Sequence, residues 1–81
     1  MTVRVKLFAV ARELAGCDEL AVTVKDVATI ADVRRAVEAA APELRTILPN
    51  SLWAVDAEYA GDDAIVSERS EVAIIPPVSG G

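Results

Sequence analysis

The sequence predicts an α+β fold, a mixed sheet of four to five strands covered by one main helix. Three observations predict it. Twelve Val and five Ile stand against only three aromatic residues, and a β-branched balance of that kind favours sheet. Apolar and polar residues alternate with a period of two near both ends of the chain, whereas one central stretch switches to helical spacing. Finally, 81 residues allow one domain and leave no room for a second.

Residues 2–8 (TVRVKLF) place Val3, Val5 and Leu7 on one side and Arg4, Lys6 and Phe8 on the other, which predicts a strand with one buried face. In residues 9–16 (AVARELAG) the pattern changes. Val10 and Leu14 lie four apart, Arg12 and Glu13 fall off that stripe, and Gly16 sits where a left-handed residue ends a short helical turn. Residues 19–25 (ELAVTVK) alternate again with Leu20, Val22 and Val24 inward, completing an antiparallel pair with a long connection.

Thr29 has the side chain of an N-cap, and Asp32 supplies the acidic half of a capping box three residues later. Ile30, Val33, Val37 and Ala40 then recur at intervals of three, four and three, with Asp32, Arg34, Arg35 and Glu38 opposite. That spacing predicts the one long amphipathic helix, with Asp32 and Arg35 in i,i+3 contact. Pro42 ends it, and Pro49-Asn50-Ser51 marks a loop.

Residues 52–56 (LWAVD) form a third strand with Trp53 in the packing, and Glu58-Tyr59-Ala60 a short return after a turn at Asp56-Ala57. Ile65 and Val66 lie in polar loop material. Residues 71–75 (EVAII) make the last strand, with Val72 and Ile74 on one face and Ala73 and Ile75 on the other, until Pro76 ends its ladder. The order ββαβ(β)β, with the first strand beside the last in mid-sheet, is the β-grasp arrangement. A ferredoxin-like split needs a second long helix, which the pattern lacks.

Function is first narrowed by exclusion. A domain this small holds one core and no deep private cavity, which disfavours an enzyme working alone. A net charge of −5 argues against nucleic acid or an anionic membrane as partner and favours a basic protein surface. No His is present, and the single Cys17 lies beside Asp18 and Glu19, which oppose a thiolate; no metal site is expected, and the reducing cytoplasm is the expected compartment. The apolar run of residues 7–11 is far short of a signal or membrane span. Asp62-Asp63 reads as a solvated turn.

The C-terminus differs from all of this. Pro76 and Pro77 stiffen the exit from the last strand, Val78 and Ser79 follow, and Gly80 and Gly81 carry no Cβ, so their backbone can thread a narrow passage. Six extended residues reach about 20 Å. The expected division is a β-grasp domain at 1–75 and a flexible Gly-Gly tail at 76–81.

VKLFAVARELAG (residues 5–16), TIADVRRAV (29–37), AVDAEY (54–59) and above all EVAIIPPVSGG (71–81) resemble the small subunit of molybdopterin synthase, a ubiquitin-like β-grasp sulfur carrier. The resemblance spans essentially the whole chain. It implies that the Gly81 carboxylate is adenylated by an E1-like activating enzyme that consumes ATP, then becomes a thiocarboxylate. Residues 76–80 enter the large synthase subunit, where the sulfur goes to the dithiolene of molybdopterin. It implies a heterotetramer, no cofactor bound to this chain and no activity of the chain alone. Asp56-Ala57 and Arg69-Ser70 stand where the family often has Asn-Gly and Gly-Asp, and both differences touch turns.

A docking face is also legible. Phe8 and Ile75 point away from the core-facing residues of their strands, and Tyr59 joins them from the short return. The resemblance implies a face shared by activating enzyme and large subunit, with Arg12 at its edge; the other reading packs Phe8 beneath residues 9–14. Three rivals remain: a carrier for another pathway such as thiamine thiazole, a protein modifier whose Gly81 is joined to lysines, and a plain interaction module whose tail is inert.

Overall fold

In a computed structural model that describes residues 1–77, the first and last strands lie side by side at the centre of a five-stranded sheet. β1 (Thr2–Leu7) pairs antiparallel with β2 (Glu19–Thr23) on one side and parallel with β7 (Val72–Ile75) on the other. β7 pairs antiparallel with β4 (Leu52–Val55), which turns back into β5 (Glu58–Ala60), giving the order β2-β1-β7-β4-β5. This is the expected β-grasp sheet. A parallel neighbour requires a long crossover, here the whole stretch between β1 and β7.

The period of two decides which face is buried. Val3, Val5 and Leu7 of β1 align with Val22 of β2 and with Val72 and Ile74 of β7, and Trp53 sits opposite Ile74. All seven are core residues. They meet Ile30, Val33 and Val37 of α2 (Ile30–Ala40), all fully buried. Trp53 belongs to the packing, as expected, although its buried Nε1 has no hydrogen-bond partner among the described residues.

The start of α2 is closed from several directions. The Thr29 hydroxyl accepts from the Asp32 amide at 3.4 Å while the Thr29 amide donates to Asp32 Oδ2 at 2.9 Å, completing the capping box. The Ile30 and Ala31 amides donate to the carbonyls of Ala64 and Asp62, so three first-turn donors that a helix leaves open have partners. Arg34 also grips the Asp62 carboxylate with both terminal nitrogens.

Four local expectations are revised. Ala40 is exposed, and Ala41 is buried in its place, because φ of −137° at the helix end turns that side chain inward. Pro49 and Asn50, expected in a loop, belong to a 3₁₀ turn at Leu48–Asn50, which with another at Pro42–Leu44 delivers Leu48 and Leu44 into the core. Ile65–Val66 form β6, paired with β3 (Ala28–Thr29). In α1 (Ala9–Ala15) the buried residue is Ala11, whereas Val10 and Leu14 face outward.

The two turns that depart from the family pattern are made by other means. Asp56 and Ala57 adopt φ of 51° and 69° in the β4–β5 connection, and Asp56 Oδ1 accepts from the Glu71 amide at 2.9 Å. At residues 67–70 the Ser67 amide donates to Ser70 Oγ and the Arg69 amide to Ser67 Oγ, so hydroxyls hold the turn without a glycine.

Candidate functional site

The outer face of the sheet is where the expected docking residues meet. The register aligns Lys6, Ala73, Ala54 and Tyr59 across four strands, and Leu52 opposite Ile75. Ala54 and Ala73 are small, so the middle of this face is shallow, and larger side chains rise around it. Phe8, Tyr59 and Ile75 line one hollow of about 370 Å³, floored by the two alanines and edged by Lys6 and Glu71. Lys6 Nζ and the Glu71 carboxylate lie 3.7 Å apart, which leaves the rim nearly neutral.

Phe8 owes its position to the end of β1. It is the N-cap residue of α1, in extended conformation and without a side-chain cap bond, and Ala9 behind it is held at φ of 50°. That geometry leaves Phe8 48% exposed and not tucked beneath residues 9–14. Tyr59, on the edge strand, is 73% exposed. Arg12 is exposed in the last turn of α1 and lines an adjoining hollow with Phe8, Lys6, Asp18 and Glu19. The structure therefore brings Phe8, Tyr59 and Ile75 together and sets Arg12 beside them.

One residue of this face escaped the sequence reading. Leu52 is 55% exposed and sits directly across from Ile75. Its signal was the alternation itself, since an inward Trp53 sends Leu52 outward.

The exit of the chain adjoins the same face. Pro76, read as the first residue of the tail, is buried, so the packed body reaches one residue beyond 75; Pro77 is exposed. The expected tail residues Val78, Ser79, Gly80 and Gly81 lie outside the described residues. Among the described residues no cluster of three or more His, Cys, Asp or Glu side chains is placed to hold a metal ion, and Cys17 is half-buried. No described helix is long and apolar enough to cross a membrane. A shallow apolar face suits recognition of a protein surface.

Residues 5–81 match the model of the ThiS family. The chain belongs to the ThiS family. The match takes in Phe8, Arg12, Tyr59, Ile75 and all of residues 76–81. The molybdopterin synthase sulfur carrier subunit of Arabidopsis thaliana is 38% identical over 79 residues, covering 98% of this chain and 82% of the relative. The crystal structure of SAMP1 from Haloferax volcanii superposes with a TM-score of 0.89 at 30% identity over 100% of both chains. A complex of subunits 1 and 2 of molybdopterin-converting factor from Helicobacter pylori shares the fold with a TM-score of 0.69 at 17% identity, again over 100% of both chains.

Proposed function

We propose that this ThiS-family chain is the sulfur-carrier subunit of a molybdopterin synthase. The observation that carries the reading is that the family match runs through Gly81 while the fold sets an apolar face beside the root of that segment. A carboxylate is a poor electrophile, because attack would expel oxide. Adenylation removes that obstacle. An oxygen of the Gly81 carboxylate attacks the α-phosphorus of ATP in an activating enzyme, pyrophosphate leaves, and the resulting acyl adenylate is opened by hydrosulfide, whose sulfur bonds to the acyl carbon as AMP departs. The product is a thiocarboxylate, a compact sulfur nucleophile on a slender arm.

The chain's own part is to present and to dock. Phe8, Tyr59 and Ile75 supply apolar contact to the large subunit, Arg12 fixes orientation at the edge, and residues 76–80 carry Gly81 inward. The partner supplies the catalytic groups, and ATP is used by the activating enzyme without residing here. Names of relatives support the large subunit as partner: the Arabidopsis protein is named as a subunit of a synthase, and the Helicobacter one stands in a complex of two subunits.

Intact mass after incubation with ATP, a sulfur source and the activating enzyme tests the reading. Exchange of one oxygen for sulfur at Gly81 is expected, and removing Gly81 should abolish dithiolene formation with the thermal melt unchanged. An unaltered mass overturns it. A second reading is favoured by the Haloferax similarity, since that protein's name marks it as a small archaeal modifier. Conjugates of high mass joined through Gly81 to lysines would select the modifier.

A further inference from the structure

The hollow on the sheet has a counterpart on the other side of Phe8. A second depression, of about 580 Å³, runs between α1 and the exit of β7, lined by Phe8, Val10, Glu13, Ile75, Pro76 and Pro77. Val10 is 36% and Leu14 41% exposed, and their spacing of four puts both on one side of α1. Such a pair normally faces the core; here Ala11 takes that place. Glu13 lies in the same depression, and among the described residues neither it nor Arg12 makes an ion pair. Phe8 and Ile75 are common to both hollows, so the two surfaces are continuous across the root of the tail.

We propose that the outward side of α1, Val10 and Leu14 with Glu13 between them, is a second contact surface for the tail-accepting large subunit, which brings an apolar side chain and a cation to it. The inference rests on the carrier reading and extends it. A partner that takes in the chain beyond Pro77 must close around the root, and one flank of that root is this depression. Continuity with the sheet face selects the same partner, and not a second copy of the chain. A seven-residue helix falls far short of the roughly 800 Å² per side that a stable interface needs, so it serves as an extension of a larger one. Arg12 and Glu13, which line separate hollows sharing Phe8, give the face two signs of charge, which fixes docking orientation.

The test measures the dissociation constant of the full chain with the purified large synthase subunit, for wild type, Tyr59→Ala, Val10→Ser, Leu14→Ser and Glu13→Arg. Melts should match the wild type, because all four positions are exposed. Val10→Ser and Leu14→Ser should each weaken binding about five-fold, and Glu13→Arg about ten-fold with an altered salt dependence. Wild-type affinity in all three α1 variants, with Tyr59→Ala still weakened, overturns the proposal and leaves the carrier reading standing. Wild-type affinity in all four overturns the proposal together with the sheet face as docking surface, while the carrier reading stands or falls on the intact mass. Changed self-association of Val10→Ser with unchanged partner affinity assigns the surface to a second copy, and so overturns the proposal as well.

Discussion

The two helices of this small protein are built to opposite rules. α2 has a capping box, loop carbonyls over its first amides and three fully buried apolar residues. α1 has no side-chain cap, begins at an alanine with φ of 50°, buries only Ala11 and turns Val10 and Leu14 to solvent. Every local device on α2 lowers the energy of the folded chain. On α1 apolar area is left uncovered and backbone strain is retained, both of which are costs to folding alone. The contrast separates two roles: stability is concentrated on the covered face of the sheet, and the proposed recognition surface lies on the end where the chain leaves the fold.

The largest effect that tests this contrast comes from truncating equivalent apolar positions. Ile30→Ala should cost about 2–5 kcal/mol, because a fully buried side chain leaves a cavity under α2. Leu14→Ala should change stability by less than about 0.5 kcal/mol. Chemical denaturation followed by the fluorescence of the single Trp53 measures both. Equal losses would show that α1 is as much a structural element as α2.

Phe8→Ala reverses the pattern. If the outer face is for docking, truncation should weaken binding of the large subunit by about 1–3 kcal/mol, with little change in the melt, since Phe8 is half exposed and off the core. A fall in stability with unchanged affinity would place Phe8 in the packing of α1.

These residues also show what the sequence could and could not reveal. The sheet was legible because alternation in TVRVKL and VAII has one solution with an inward Val3, Val5, Leu7, Val72 and Ile74. α2 was legible because Thr29 and Asp32 announce its start. Residues 42–50 were not, since Leu44 and Leu48 reach the core from 3₁₀ turns that follow neither period. Nor was the direction of Val10 and Leu14: an i,i+4 apolar pair names a helical face but not which way it points. Ile65–Val66 failed for a related reason, because a two-residue ladder to Ala28–Thr29 depends on a distant partner. Of the site, Phe8, Tyr59 and Ile75 were visible as residues facing away from a core already assigned, whereas Leu52 required the register.

Acid should weaken the start of α2. The Asp32 carboxyl is lowered from 3.8 to about 2, chiefly by the hydrogen bond it accepts from the Thr29 amide, with Arg35 and Lys25 adding to the effect. Asp62 is lowered by the Arg34 guanidinium. A depressed folded-state value means that stability from Asp32 is fully present above pH 4 and is lost as pH falls through about 2. Asp32→Asn should therefore flatten the decline of the melting temperature between pH 4 and 2, because Asn keeps an acceptor for Thr29 but has no charge to lose. Thr29→Ala should cost about 0.5–2 kcal/mol at neutral pH. An unchanged acid slope in Asp32→Asn would assign acid sensitivity to other carboxylates.

The smallest effect lies in the backbone. Among the described residues the non-glycine positions with positive φ are Ala9, Asp56 and Ala57. Ala57 lines the sheet hollow and Ala9 the one over α1, so strain sits at the two proposed docking surfaces and is absent from α2. A left-handed alanine costs about 1–2 kcal/mol, and glycine relieves that while adding roughly 0.5–1 kcal/mol of unfolded-state entropy. Ala57→Gly should accordingly stabilise the fold by about 0.5 kcal/mol, with docking little changed, because Asp56 still ties the turn to Glu71. Ala9→Gly should give a similar gain and, if the strained alanine helps direct Phe8 outward, weaken the large subunit's grip. A gain in stability with full affinity in Ala9→Gly would mean that Phe8 is held by its neighbours and not by the backbone behind it.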